Sequence, residues 1–262
     1  MEKQILTTAL QVATGVAREA GAYQIAQAKL GVTYELKGAI NLVTAVDKAS
    51  ETLIINAITK IFPEHDILAE EGSATRKDSP YKWIIDPLDG TTNYAHGYPL
   101  YCVSIALEYK GQVVLAVVFD PNRDELFSAI KGQGAKLNDQ TIQASQVVSL
   151  DRAMLATGFA YNVRETQENN LDHFAAMLMK AQAIRRDGVA AIDLCYVACG
   201  RYDGFWELNL FPWDVAAGGL ILTEAGGRLC RFDGATYSIY DRDICASNGA
   251  LQQPMVEVLS PH

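Results

Sequence analysis

The segment that most constrains this chain is Trp83-Ile84-Ile85-Asp86-Pro87-Leu88-Asp89-Gly90-Thr91-Thr92-Asn93, which sets two carboxylates three positions apart at the exit of an apolar run. Trp83, Ile84 and Ile85 predict a short buried strand, and Pro87, lacking a backbone donor, is expected to stop its ladder. Asp86 and Asp89 then stand on a tight turn at the strand's C-terminal end. Like charges so close raise one another's pKa unless a cation lies between them. The amides of Gly90, Thr91 and Thr92 that follow are suited to cradling a phosphate. A divalent metal on the aspartates beside a phosphate on the amides is the arrangement that phosphoryl hydrolysis needs. Standing alone, Asp-x-x-Asp-Gly also reads as a simple turn.

Three further acidic stations add weight to the metal reading. Glu70-Glu71 follows Asp66-Ile67-Leu68-Ala69, a short strand that would deliver a carboxylate at its end. Asp214 follows Trp213 and precedes an Ala/Gly-rich helix, at or near its N-cap. Asp47 closes the extended run Asn41-Leu42-Val43-Thr44-Ala45-Val46 and leads into a helix. All are hard oxygen donors, the ligand type suited to magnesium.

A chain of 262 residues suits one large domain or two sharing an interface. Its formal charge of −9 argues against direct binding of a nucleic-acid backbone, although bound metal would reverse the field locally. No apolar run reaches the roughly 20 residues of a membrane span, and the N-terminus shows no signal-peptide pattern. The five cysteines form no Cys-x-x-Cys pair; Cys195 and Cys199 read as small core residues, and the odd count suits a reducing cytoplasm.

Apolar spacing predicts helices over 5–20 and 48–61, then strands near 66–69, 83–85, 102–109, 113–119 and 125–130, with a hairpin at Lys110-Gly111-Gln112. The second half alternates: strands at 153–157, 184–186 and 205–207, helices at 167–183, 189–199 and 214–225, the last stopped by Gly226-Gly227. The fold class expected is α/β, with an α+β N-terminal half over 1–148 and an α/β C-terminal half over 149–262, packed as one body.

With these motifs in place, the chain resembles the inositol monophosphatase family, in its bacterial SuhB-type branch, from about residue 5 to 258. Three segments carry the likeness: Glu70-Glu71 after a strand, residues 83–93, and Trp213-Asp214-Val215-Ala216-Ala217-Gly218-Gly219 followed by Thr223-Glu224-Ala225-Gly226-Gly227. The resemblance implies a layered αβαβα sandwich of the inositol monophosphatase and fructose-1,6-bisphosphatase type. It implies that Glu70, Asp86, Asp89, Asp214 and the Leu88 carbonyl hold Mg²⁺. Water activated by the metal would attack a phosphate monoester in line, with no covalent enzyme intermediate. Glu70 and Thr91 would orient the water, Asp47 would accept a hydrogen bond from Thr91, and the Gly90 and Thr91 amides would hold the phosphate. Glu207 and the turn Gly188-Val189-Ala190 match substrate-contacting positions. Inhibition by lithium, a homodimer and a cytoplasmic location are further implications.

Three positions depart from the family pattern. Val189 stands where Thr or Ser is common, which predicts an apolar wall beside the substrate. Phe211 replaces a histidine of the animal enzymes, and Asn41 replaces an aspartate after the Lys37 loop. Thr92-Asn93 favours the inositol branch over the relatives that cleave adenosine 3′,5′-bisphosphate. Sister branches of the same superfamily cleave fructose 1,6-bisphosphate, histidinol phosphate or NADP. The SuhB-type likeness also suggests a partner in RNA polymerase antitermination complexes. Arg185, Arg186 and Arg201 could serve such contacts, or form ordinary surface ion pairs.

Overall fold

The computed structural model describes residues 2–31, 34–36 and 42–260. A long helix, α1 (Glu2–Ala28), is followed by β1 (Tyr34–Leu36), antiparallel to β2 (Leu42–Thr44), and by α2 (Ala45–Ile61). Next come β3 (Asp66–Ala69), β4 (Ala74–Thr75), β5 (Tyr81–Asp89) and the short α3 (Thr91–Ala95). Then follow β6 (Cys102–Tyr109), β7 (Gln112–Asp120), β8 (Glu125–Ile130), β9 (Ala135–Leu137) and β10 (Gln140–Thr141). Among the described residues these make an eight-stranded sheet, ordered β10-β9-β8-β7-β6-β5-β3-β4. The remainder supplies β11 (Met154–Thr157), α4 (Leu171–Leu178), β12 (Ala183–Arg185), α5 (Ala190–Ala198), β13 (Gly204–Leu208), α6 (Pro212–Glu224), β14 (Arg228–Cys230), β15 (Asp243–Ser247) and α7 (Gln252–Leu259). Its strands form a second sheet, ordered β12-β11-β13-β15-β14.

Side-chain parity turns these elements into layers. In β5 to β7, Trp83, Ile85, Ile105, Leu107, Leu115 and Val117 pack with Ala13, Val16, Ile54 and Ile58 of α1 and α2. Their neighbours of opposite parity, Ile84, Ala106, Ala116 and Val118, pack with α5 and α6. The same helices also meet Phe205, Ile244 and Ala246 of the smaller sheet. That sheet's other face, with Leu155, Trp206 and Cys245, is covered by Met177 of α4 and by Met255 and Leu259 of α7. The result is the αβαβα sandwich, with α5 and α6 as the shared middle layer. Strands covered on both faces read as unbroken apolar runs, which is why β6 and β7 show no alternation in the sequence.

Three elements differ from their sequence expectation. Helix α1 runs on to Ala28 through Gly21, whose bare Cα lies against Phe119 and Pro121: a Cβ there would sit 2.7 Å from the Phe119 ring. Helix α4 holds only Leu171–Leu178, because Asn170 is left-handed (φ 66°) and Gln182 already donates to Ala153 on the way into β12. Strand β5 does not stop at Pro87 but runs to Asp89, the register shifting between Asp86, opposite Ser104, and Asp89, opposite Cys102. The irregularity absorbs the missing donor, as a bulge does. The Lys37 loop and Asn41 lie outside the described residues. Among the described residues no helix is long and apolar enough to cross a membrane.

The middle layer depends on close approach. A Cβ on Gly218 of α6 would lie 2.7 Å from Leu194 Cβ of α5. Gly218→Ala gains up to about 1 kcal/mol of helix propensity but overpacks a site with no slack, so a net loss of about 1–2 kcal/mol is expected. Urea denaturation at constant m-value checks it; an unchanged or higher midpoint would contradict this packing.

Candidate active site

The break in β5 builds the centre of the site. Strands β3 and β5 are parallel, so Glu70 and Asp86 leave the sheet at the same end, and the Glu70 amide donates to the Ile85 carbonyl (3.2 Å). Beyond Asp86 the freed backbone groups find local partners. The Leu88 amide donates to Asp86 Oδ1 (2.9 Å), and the Pro87 carbonyl accepts from Nε2 of the buried Gln24 on α1 (2.7 Å). Buried backbone groups must be paired, so these bonds fix the turn that carries Asp86 and Asp89.

Gly90 caps α3 in the left-handed conformation (φ 97°). A Cβ there would lie 2.9 Å from Val189 Cγ2 and 3.2 Å from the Leu100 carbonyl, so glycine is required for conformation and for space. Thr91 opens α3, where its hydroxyl lies 2.8 Å from Asp47 Oδ1 and 3.1 Å from the Leu88 carbonyl. Asp47 is fully buried at the start of α2, and its other oxygen accepts from the Thr44 amide (2.8 Å). The expected Thr91–Asp47 pair is therefore formed. Leu88 is itself fully buried, its side chain packed with Val46, Tyr94 and Tyr101 and its carbonyl accepting from Thr91.

Two helices of the middle layer bring their N-termini to the aspartates. The Ala191 amide donates to Asp89 Oδ2 (2.8 Å) and the Ala190 amide also bonds this carboxylate. Asp214 is not the N-cap of α6 but lies three residues inside it, accepting from the Phe211 amide (2.7 Å). Such helix ends favour anions. Even so, burial and mutual repulsion dominate. Burial, then Glu70, Asp89 and Asp214, push the Asp86 carboxyl well above its usual range, with a hydrogen bond shared with Glu70. Burial raises Asp89 to about 7 against the Ala191 amide, and burial plus Asp89 raise Asp214 strongly.

Glu207 leaves β13 buried beside this group. Burial and the Asp89 charge raise its pKa to about 8, while Arg186 pulls it down. Gly158, which belongs to no sequence motif, makes room for it: a Cβ there would stand 2.2 Å from Glu207 Oε2. Only a glycine at the end of a strand signals this. Val189 corrects an expectation. Its side chain is fully buried, with Cγ2 against Gly90, so it packs beneath the phosphate-type turn and does not form an apolar wall toward a ligand. Gly188 is left-handed (φ 72°), and the turn that it starts spends its amides on Asp89. Arg201 is engaged in a two-pronged ion pair with Glu125 (2.6 and 2.5 Å) on the surface.

The donor set suits a hard divalent cation: four carboxylates and a carbonyl, with Asp86, Asp89 and Asp214 raised in pKa by burial and by neighbouring charges, so that a nearby positive charge would relieve them. No three His, Cys, Asp or Glu side chains among the described residues stand at metal-holding spacing. Asp89 and Asp214 are turned to backbone amides and Asp86 to Glu70, so seating a cation requires loss of protons and rotation of these side chains.

A pH dependence follows with a definite sign. A carboxyl raised in the fold keeps its proton where the unfolded chain has lost it, so the native state binds more protons from about pH 4.5, the usual Glu pKa, to about 8. Metal-free stability should therefore fall as pH rises through that window. In EDTA the wild type is expected to lose more Tm between about pH 5 and about pH 8 than Glu207→Gln does, and Mg²⁺ is expected to flatten the slope. Parallel Tm curves for the two proteins would contradict the burial of Glu207 as an acid.

Comparison with known proteins gives one answer. The inositol monophosphatase family model matches residues 5–261. An inositol-1-monophosphatase of Synechocystis is 43% identical over 257 residues, covering 97% of this chain and 90% of that protein. A protein of Pseudomonas aeruginosa named Nus factor SuhB is 43% identical over 86% of this chain and 85% of its own length. Among solved structures, an inositol monophosphatase from Anabaena superposes with a TM-score of 0.89 at 43% identity, covering 97% of this chain and 96% of that one. The layered fold, the broken strand with its aspartates and these likenesses agree: the chain belongs to the inositol monophosphatase family.

Proposed function

We propose that this chain hydrolyses phosphate monoesters with Mg²⁺, preferring inositol 1-phosphate and releasing myo-inositol and phosphate. The observation that carries the reading is the gathering of Asp86, Asp89, Glu70 and Asp214 at the end of β5, beside the Gly90–Thr91 turn and the buried Glu207. Metal dependence is a property of the family. Magnesium would be held by Glu70, Asp86, Asp89, Asp214 and the Leu88 carbonyl, and would supply charge neutralisation, a more acidic water and leaving-group stabilisation.

The chain's own groups have separable parts in this scheme. The Gly90 and Thr91 amides take phosphate oxygens. The Thr91 hydroxyl, oriented by Asp47, and the Glu70 carboxylate direct the attacking water in line with the leaving alcohol. Glu207 accepts hydrogen bonds from ring hydroxyls; a polyol lacking them would leave a buried acceptor unpaired. Its raised pKa also allows it to donate from its protonated form below about pH 8.

Asp89→Asn keeps the side chain's shape and removes its charge, so phosphate release should drop by orders of magnitude in a folded protein. In a panel with Mg²⁺, inositol 1-phosphate is expected to give the highest kcat/KM, with glycerol 2-phosphate also cleaved and Li⁺ inhibitory. Glu207→Gln should impair inositol 1-phosphate more than p-nitrophenyl phosphate. A higher kcat/KM for adenosine 3′,5′-bisphosphate or fructose 1,6-bisphosphate would contradict the substrate, and a fully active Asp89→Asn would contradict the site.

A second reading is favoured by the relatives named Nus factor SuhB, which match at 43% identity in Pseudomonas aeruginosa and 42% in Vibrio cholerae. We infer that the chain can join a transcription complex through its surface, independently of the carboxylates. Pull-down of RNA polymerase subunits by both wild type and Asp89→Asn is the expected result; no recovery by either would set this reading aside.

A further inference from the structure

The segment that leaves β11 is tied down with unusual economy for a loop. The Thr157 hydroxyl donates to the Trp206 carbonyl (2.6 Å) and accepts from Asn170 Nδ2 (2.9 Å). Asn170 also holds the Gly158 carbonyl (2.8 Å) and accepts from Trp206 Nε1 (2.9 Å). Phe159 packs edge-on against Phe174 of α4, their ring centroids 5.8 Å apart. Gly158 passes against Glu207. So anchored, the segment brings Tyr161 to the phosphate-type turn, where its hydroxyl is hydrogen-bonded with Thr92. The phenol there feels Glu70, Asp89 and Asp214, yet the residue stays 48% exposed.

A second aromatic borders one of these carboxylates, Asp214. Phe211, whose amide holds Asp214, is 57% exposed and stacks on Trp213 at 4.9 Å between centroids. Single exposed aromatics are ordinary on a protein surface. An aromatic pinned at its hydroxyl beside three carboxylates, on a loop fixed through Asn170, is preorganised where a ligand would sit.

We propose that Tyr161 contacts the ring of the leaving alcohol and so selects cyclic over acyclic phosphate monoesters, a role that rests on the phosphatase reading above. Its face offers apolar cover to the C–H face of a cyclitol, a sugar or an aryl ring, whereas a three-carbon ester presents no such face. The bond to Thr92 sets the angle of the ring. The contact is the same in ground and transition states, so it acts on KM more than on kcat.

The test uses the full chain with Mg²⁺, three substrates and two variants. The substrates are inositol 1-phosphate, p-nitrophenyl phosphate and the ringless glycerol 2-phosphate; the variants are Tyr161→Ala and Tyr161→Phe. For Tyr161→Ala, KM for both ring esters should rise about threefold to tenfold, as for loss of one aromatic contact, with glycerol 2-phosphate within about twofold. Tyr161→Phe, which keeps the ring, should retain most of the discrimination. Equal changes on all three substrates, or none on any, would overturn the proposal while leaving the phosphatase reading intact. A wild type inactive on all three esters would overturn both. Circular dichroism of each variant guards against a loss of fold being read as a loss of contact.

Discussion

Four carboxylates gathered in one corner, Asp86 buried and Glu70, Asp89 and Asp214 partly so, repel each other, and most of the surrounding structure can be understood as the means of keeping them there. At the end of β5 the ladder shifts, so Asp86 and Asp89 cannot relax along a regular strand. The bonds from Gln24 and from the Leu88 amide close off the backbone's other options. On the opposite side, the middle helices present amides to Asp89 and Asp214. Charge–charge repulsion in a low-dielectric place is costly at short range, and helix-end amides offset it only in part. The strongly raised pKa values of Asp86 and Asp214, set by burial first and by the neighbouring carboxylates next, record the remainder.

The groups proposed for chemistry and for selectivity rest on different layers. The aspartate turn belongs to the larger sheet, Asp214 to α6, and Glu207 to β13 of the smaller sheet. Gly158 and Asn170 serve the smaller sheet's contribution alone, through Glu207 and the segment behind it. Residues on β13 and after β11 can therefore change without disturbing the bonds that hold Asp86, Asp89 and Thr91. Such a division suits one hydrolytic scaffold to several alcohols.

The acidic stations are legible in the sequence because each stands at an abrupt change of pattern: Glu70 after an apolar strand, Asp86 before proline, Asp214 after Pro212-Trp213. Asp47 also stands out, at the end of an extended run, but its pairing with Thr91 comes through family likeness, and their 2.8 Å bond gives that likeness a physical content. What stays hidden depends on the third dimension. Val189 reads as an apolar substitution beside a ligand, but only the folded turn shows it under Gly90. Gly158 and Asn170 matter through residues nearly fifty and thirty-six positions away, Trp206 and Glu207 among them. The short strands β14 and β15 and helix α7 leave little trace in the sequence because tertiary packing, with Met255 and Leu259 closing the outer layer, decides them more than local propensity does. Proline likewise promises a strand end, and the sheet instead accommodates it as an irregularity.

The middle layer has a consequence for the order of events during synthesis. Helices α5 and α6 complete the interior of the larger sheet, and α6 carries the fourth carboxylate. A ribosome that has made everything through β10 has produced the whole larger sheet, yet one face of it still lacks its cover. Contacts so distant along the chain close late and slowly. Until about residue 224 has emerged, that sheet exposes Ile84, Ala106, Ala116 and Val118 to whatever is nearby. The nascent chain thus passes through an interval of adhesive half-assembly in which a chaperone has a surface to hold, and the acidic centre comes into being only when that interval ends.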